Sequence, residues 1–517
     1  FKLKIIIIII IYNMKVYIIY ERFNAEFYGK YILGIELIKN NPNIGEVKIG
    51  YYKDLIFELI NLEANHKENI IVFYKDIWRT SQVLIDIFKE KGFKFICHHE
   101  EEFTIFSLNN IKNYLNEIIN RDYFNKIDCF FTLSNKSKDI LTYYGLSNNI
   151  YVTGNTKFDY QNLVKKKGIY KKIDNSFILL TLGDCYFKYK EDYSFNKEKI
   201  KKYNFENFLK DQNKDPSFDN ALFSRCIKDQ IKFFLKVVKS YQNLSFILRP
   251  HPNDRSSEKY YKKIFKNCKN VKVSFDNDIN FWIKNSSAVI SGPCFTSIES
   301  NILGVKNLIY YNEKNKFHKT LYSKHFCLKF TPDNIINNFK DLGNFFESKK
   351  DFENDFRSLA DEYYSLNVES YKKIANKIKS LNFKNSGKTK KNFLFEFFLK
   401  KASKEINYDI KDKRLNLTSY LRFKSKFKFS LSRIYFAIKF FRNSNRFDFL
   451  NILYKYIRGR NFDNHSMDLL SGKLDKIDGN DLKLFTNYYY KNEINFQKQI
   501  FISEDNKKLS ITRSNKK

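Results

Sequence analysis

LSFILRPHPND, residues 244–254, decides how the chain reads. The apolar run Phe246-Ile247-Leu248 suits a buried parallel strand. Pro250 and Pro252 then end it, because proline has no N–H to give to a strand ladder. Arg249 and His251 are left on a stiff turn at the strand's tip. The chain has only 6 prolines and 7 histidines, so grouping them here calls for an explanation.

The neighbouring segments repeat a strand–helix rhythm. SFILLTLGD (176–184) opens a set of strands. A polar, lysine-rich insertion follows, then the helical LFSRCIKDQIKFFLKVVKSYQN (222–243) and the strand above. Beyond it lie NVKVSF (270–275), the helix NFWIKNSS (280–287), AVISG (288–292), the helix TSIESNILG (296–304) and VKNLIYYN (305–312). The first half of the chain runs likewise. KVYIIY (15–20) leads into the helix AEFYGKYILGIELIKNN (25–41), and NIIVFYKD (69–76), FKFICHH (93–99), CFFTLS (129–134) and NIYVTGN (149–155) read as further strands. Strands alternating with helices imply parallel sheets covered on both faces. The expected fold is α/β, with two Rossmann-like domains over residues 14–160 and 170–383. They are joined near KFDYQNLVKKKG (157–168), with a cleft between the carboxyl ends of their sheets, where ligands of such sheets bind.

A chain of 517 residues with 43% hydrophobic content can build cores of this kind. Its net charge is +35, from 92 basic against 57 acidic residues. Codon bias contributes to the lysine content, since Lys, Asn, Ile, Phe and Tyr all have A/T-rich codons. It does not explain the shortage of acids, so an anionic partner is expected. The surplus is concentrated in residues 384–460, with 21 Lys/Arg, 5 Asp/Glu and interleaved Phe and Tyr. Residues 384–517 are expected to form a basic, mainly helical C-terminal extension, and 384–460 to meet an anionic inner-membrane surface. Packing of its Phe and Leu on the second domain is the alternative.

Seven cysteines without a C-x-x-C pair argue for a reducing compartment and against a disulfide framework or structural zinc. The seven isoleucines of residues 5–11 are too few to span a bilayer, which needs roughly 20 apolar residues. The reading adopted is a natural start at Met14, with residues 1–13 as upstream translation.

Several strand ends carry chemistry. Arg249 and His251 suit a phosphate, through charge-assisted hydrogen bonds. In SGPCFTSIES (291–300), Ser291 and Gly292 end a strand, and Thr296 and Ser297 start a helix whose free N–H groups suit a phosphate. Glu299 sits where it could accept from a ribose hydroxyl. The plainer reading makes Thr296 a cap and Glu299 its capping-box partner. HHEEE (98–102) packs Glu100, Glu101 and Glu102 at a strand end, an arrangement that raises the pKa of at least one carboxyl. Asp276-Asn277-Asp278 imitates a metal-binding Asp-x-Asp but stands just before a helix, where Asp is a good cap. No metal or other cofactor is expected.

ILRPHP (247–252) followed by SGPCFTSIESNILGVKNLIYY (291–311) resembles the donor domain of GT-B glycosyltransferases that use CMP-activated sugars. The likeness is to bacterial surface-carbohydrate biosynthesis proteins related to the Kdo (3-deoxy-octulosonate) transferases of capsule and lipopolysaccharide assembly. IIYERFNAEFYGKYILGIEL (18–37), CHHEEEF (97–103) and LSNKSKDILTYYGLSNNIYVTGNTKFD (133–159) carry it in the first domain. It implies a GT-B arrangement and a metal-independent transfer of a Kdo-like or other nonulosonic acid from a CMP donor onto a surface glycan or glycolipid. His251 and Arg249 would hold the donor phosphate, the Thr296–Glu299 helix start the phosphate and ribose, and Glu100 and Glu101 would face the acceptor. The chain departs from the pattern at His99, where the family's acidic motif opens with Asp, and at Cys294 and Phe295, which dilute its Ser/Thr cluster.

The implied location is cytoplasmic, peripheral on the inner face of the cytoplasmic membrane, with no specific nucleic acid as partner. Two rivals stand beside this reading. One is a CDP-glycerol or CDP-ribitol phosphotransferase of the teichoic-acid type, which shares the Arg-x-His-Pro turn. The other is a non-enzymatic nucleic-acid-binding protein using the basic tail.

Overall fold

A computed structural model describes residues 14–62, 69–75, 79–100, 121–167, 170, 176–183, 216–251, 258–322, 328, 335–343, 361–381, 500–502 and 508–512. Arg22, Tyr144, Ser147, Asn277, Asn338, Lys340 and Asn367 are the exceptions inside these ranges. Two sheets dominate. The first holds β1 (Met14–Tyr20), β2 (Ile44–Tyr51), β3 (Asn69–Tyr74), β4 (Lys94–His98), β5 (Cys129–Thr132) and β6 (Ile150–Val152). These six are parallel in the order β2-β1-β3-β4-β5-β6. The second holds β7 (Ile178–Thr181), β8 (Phe246–Arg249), β9 (Val271–Val273), β10 (Ala288–Ser291), β11 (Asn307–Tyr310) and β12 (Ile335–Ile336). They are parallel in the order β12-β11-β10-β7-β8-β9, the doubly wound Rossmann order.

The helices fill both faces of each sheet. On the first, α1 (Phe23–Asn40) covers one face, while α2 (Tyr52–Asn61) and α3 (Arg79–Glu90) cover the other, with the short α4 (Arg121–Phe124) and α5 (Asn135–Tyr143). α6 (Thr156–Lys167) follows β6. In the second unit, α7 (Pro216–Ser240) and α8 (Glu258–Ile264) share one core with the sheet. α9 (Ile279–Asn285) and α10 (Thr296–Ile302) lie on the side of α6. α11 (Lys316–Tyr322) completes this unit, and α12 (Ser370–Lys379) follows it in the chain.

α6 is the hinge pin of the molecule. Tyr28 of α1 stacks on Tyr160 at 4.9 Å, while Gln161 donates to Asn280 of α9 at 2.7 Å. Phe158 stacks on Phe295 at 5.7 Å, and its Lys157 pairs with Glu299 of α10. The segment expected to be a joint is therefore a packed helix. It brings the carboxyl ends of the two Rossmann-like sheets toward each other.

Two features cross the expected boundaries. α12, inside 170–383, returns to pack on the first unit, where Ile374, Ala375 and Ile378 join the core of α1 and β1. The second is β13 (Ile500–Ile502) and β14 (Lys508–Thr512), an antiparallel hairpin inside 384–517, in which β14 adds antiparallel to the edge of β2. Leu509 and Ile511 are fully buried there. The described part of the extension is thus strand. The helical form expected for the rest, and the basic stretch 384–460, lie outside the described residues. Among the described residues no helix is long and apolar enough to cross a membrane.

Candidate functional site

In each sheet the strand order reverses once, and ligands of open α/β sheets bind outside the carboxyl ends at that point. In the first sheet it falls between β1 and β3. Glu21 follows β1, Lys75 follows β3, and His98-His99-Glu100 end the next strand. One turn into α1, the Glu26 carboxylate accepts from the Glu21 N–H at 3.0 Å, from Lys30 at 2.8 Å and from Lys75 at 3.3 Å. Lys75 also pairs with Glu21 at 2.8 Å, and the Tyr74 hydroxyl donates to Glu21 at 2.6 Å. Lys30, wholly buried, reaches on to Glu100 at 3.3 Å.

The cluster holds three carboxylates and two ammonium groups. Burial alone would push the Glu26 carboxyl up, but Lys30 and Lys75 overcome it and hold the group far below the carboxylate range. Burial likewise works against the charge of Glu100, and Lys30 and His98 reverse it, so its pKa is lowered. Lys30 is pulled down by burial and raised, on balance, by Glu100 and Glu26. The pKa increase expected within the acidic triplet therefore does not fall on Glu100, because a buried lysine faces it. Glu101 and Glu102 lie outside the described residues.

The turn between β6 and α6 fixes this wall. The His98 Nε2 meets the Gly154 carbonyl at 2.8 Å, so that nitrogen carries the proton, and Nδ1 faces Glu100 at 3.5 Å. The Asn155 amide donates to the Glu100 carbonyl at 3.1 Å, while its oxygen caps α6 by accepting from the Lys157 N–H at 2.9 Å. Gly154 has φ +84°, and a Cβ there would lie 2.6 Å from the Ser370 Oγ at the start of α12. Glycine is required on both counts.

In the second sheet the reversal falls between β7 and β10, bringing Thr181 to Gly183 beside Ser291 to Cys294. A Cβ on Gly183 would meet the Cys294 Cβ at 2.9 Å, and one on Gly292 would meet the Gln230 amide at 2.9 Å. Gln230 in turn donates to the Thr181 carbonyl at 3.0 Å. Ser291 is buried, 3.5 Å from Asn307 Oδ1. Thr296 is the first helical residue of α10, and Phe295 before it makes no side-chain cap. The capping-box alternative for Thr296 and Glu299 is thus not what forms. Ser297 donates to the Cys294 carbonyl at 2.8 Å, and the Glu299 carboxylate is paired with Lys157.

One strand over, Arg249 is buried and its Nη1 donates to the Asp276 carbonyl at 2.5 Å. His251 is half-buried at the same carboxyl end. Asp278 caps α9, accepting from the Asn280 N–H at 2.9 Å, as read from the sequence. No group of three His, Cys, Asp or Glu that could hold a metal occurs among the described residues.

Sequence reasoning gave no role to Glu21, Glu26, Lys30 and Lys75. A signal was present: Glu26 and Lys30 stand four apart on a helix whose other core positions, Phe27, Tyr31 and Ile32, are apolar. A charged pair on such a face has to be buried together.

No protein-family model matches the chain, and no curated protein matches it. Solved structures do. A UDP-N-acetylglucosamine 2-epimerase from Rickettsia bellii is 12% identical with a TM-score of 0.44, covering 71% of this chain and 96% of its own. The UDP-GlcNAc 2-epimerase of Methanocaldococcus jannaschii, in complex with UDP-GlcNAc and UDP, is 18% identical with a TM-score of 0.40, covering 71% and 99%. The wall teichoic acid polymerase TagF is 11% identical with a TM-score of 0.40, covering 71% and 88%.

Proposed function

We propose that this chain is a metal-independent GT-B glycosyltransferase that moves a sugar from a nucleotide-activated donor onto a surface glycan or glycolipid. The sequence resemblance gives CMP as the nucleotide and a Kdo-like or other nonulosonic acid as the sugar. One observation carries the reading: the switch points of two Rossmann-like sheets are brought together around α6, and the first is lined by a buried, ionised Glu26–Lys30–Glu100 cluster.

In this reading the donor nucleotide occupies the β7/β10 switch point. His251 and Arg249, with Ser291, Gly292, Thr296 and Ser297 beside them, bind its phosphate. For that, Arg249 exchanges the Asp276 carbonyl for phosphate, and Glu299 exchanges Lys157 for a ribose hydroxyl. The acceptor oxygen forms its bond to the anomeric carbon as the bond to the nucleotide phosphate breaks. The phosphate leaves with the electron pair, stabilised by the cations around it. Glu100, kept ionised by Lys30, orients the acceptor hydroxyl rather than serving as a strong base. Removal of its proton falls to Glu101. The basic stretch 384–460 would keep the enzyme on the inner face of the cytoplasmic membrane, near a lipid-linked acceptor.

The test is thermal unfolding of the full chain with CMP, CDP, UDP or ADP, with His251→Ala alongside. A ligand at about 100 times its Kd stabilises by roughly 2.7 kcal/mol. Selective stabilisation by CMP that is lost in the variant is the expected result. Selectivity for CDP would move the assignment to the phosphotransferase reading, and a flat response to all four would overturn the nucleotide site.

A further inference from the structure

α7 and α8 are the crossovers β7–α7–β8 and β8–α8–β9, which step in one direction through the sheet and so lie on the same face. Their inner residues, among them Ile231, Phe234, Val238, Tyr261 and Phe265, form one core with the strands. α9 and α10, on the other face, contact α6, so the α7/α8 layer faces away from the first unit.

Its outer surface is nearly all lysine. Between Arg225 and Lys239 every exposed position is a lysine: Lys228, Lys232, Lys236 and Lys239. They stand at spacings of four, four and three, one stripe about 16 Å long. From Glu258 to Lys272 the exposed positions are six lysines, Lys259, Lys262, Lys263, Lys266, Lys269 and Lys272, and one asparagine, Asn267. Among the described residues acids do not balance them. Glu258 is taken by Lys262, while Asp229 turns away to Tyr310 and Asn312.

Codon bias does not account for this. It would supply asparagine and lysine alike, and α5 has the mixture that bias predicts, exposing Asn135, Lys138, Asp139, Thr142 and Tyr143. Lys272, on β9 between Val271 and Val273 of the α7/α8 core, points to the opposite face. The remaining nine lysines make a single-signed face whose self-repulsion, relieved at Lys262 by Glu258, an anionic surface would remove.

We infer that the α7/α8 face of the second unit docks on an anionic lipid bilayer. A bilayer fits better than a nucleic acid for two reasons. Among its described residues the face has no exposed aromatic ring on which a base could stack, since the large exposed hydrophobic residue is Tyr143, on the first unit. Its exposed cations are lysines, mobile point charges suited to a diffuse layer of lipid headgroups rather than to bidentate phosphate recognition. The surface is built from residues other than the basic stretch 384–460 and does not depend on the nucleotide site.

The test is co-sedimentation of the full chain with phosphatidylcholine vesicles, with and without phosphatidylglycerol. Lys228, Lys232, Lys263 and Lys266 are changed together to Glu. A control variant changes Lys39, Lys138, Lys373 and Lys379, all exposed on the first unit, to Glu. Thermal unfolding checks that both fold. The face variant should partition onto anionic vesicles at least about tenfold more weakly than the control, since each basic residue near the lipid contributes roughly a factor of five. Equal losses in the two variants would mean that net charge alone acts. No loss in either would mean that the α7/α8 face does not meet the lipid. Binding of the unaltered chain to duplex or single-stranded nucleic acid but not to vesicles would assign the face to the wrong partner. Each of the three overturns the proposal.

Discussion

Lys157, at the start of α6, is ion-paired with Glu299 of α10, and the pair ties the helix that follows β6 to the second sheet's switch point. Its ammonium also lies 5.4 Å from the centre of the Phe295 ring. Glu299 is almost wholly buried, whereas Lys157 keeps some contact with water. Removing one partner of a fully buried pair costs roughly 3–5 kcal/mol, because the other charge is left uncompensated. Lys157→Met should therefore destabilise the protein by about 2 kcal/mol, less than that range because the lysine is partly hydrated. Glu299→Gln, which keeps a hydrogen-bonding group and removes the charge, should cost less. Urea denaturation measures both, and a Lys157→Met loss below about 0.5 kcal/mol would show that the pair does not hold the junction.

The Glu26–Lys30–Glu100 cluster makes a prediction with a definite sign in pH. Both carboxyls have lowered pKa values in the folded state. Their contribution to stability is therefore present above the ordinary value of 4.5 and is lost as pH falls through the folded values. Lys30→Met reverses this, since two buried carboxylates then lack their shared cation. The variant should lose roughly 3–5 kcal/mol at neutral pH, and its deficit should shrink toward pH 4.5 as the carboxyls take up protons. A deficit constant across that range would mean that lost packing, not charge, is responsible.

Asp159 behaves in the opposite sense. Burial pushes its carboxyl up to about 7, although the Tyr371 N–H donates to it at 3.0 Å and the Ser370 hydroxyl approaches at 3.4 Å. A folded value above the ordinary 3.8 means a stabilising contribution that is complete below 3.8 and is lost as pH rises to about 7. The bond at stake holds the start of α12 on the first unit. Asp159→Asn keeps an acceptor for the Tyr371 N–H without the charge, so the variant should be the more stable protein at pH above about 7. Thermal unfolding from acid to mildly alkaline pH tests this. An unchanged pH dependence in the variant would remove Asp159 from the account.

What the sequence made legible follows from where the information lies. β8 and β10 could be read because a strand buried on both faces is a short apolar run, ended here by Pro250 and by Gly292-Pro293. β2 could not, since IGEVKIGY mixes two glycines with charged residues and its burial is irregular. The site was legible only in part for a related reason. Glu100 and Arg249 stand at visible strand ends, but what each does is set by partners far away in the chain. Lys30 holds Glu100, the Asp276 carbonyl holds Arg249, and Lys157 holds Glu299.

The hairpin β13–β14 is the extreme case, because it completes a sheet whose first strand begins at Met14. β14 hydrogen-bonds along β2, and its Leu509 and Ile511 enter the core shared by α1, β1 and β2. The fit is close. A Cβ on Gly34 of α1 would lie 2.9 Å from Ile49 and 3.2 Å from Ile511. Ile511→Ala should therefore cost about 2–5 kcal/mol, the usual range for truncating a buried isoleucine. Deleting residues 500–517 should do more, since it uncovers an apolar strip and leaves β2 as an unpaired edge open to association with other chains. Size-exclusion chromatography of the deletion should show aggregates, while Ile511→Ala stays monodisperse at a lower unfolding midpoint. A deletion that remains monodisperse with an unchanged midpoint would show that the first sheet does not need the chain's last strands.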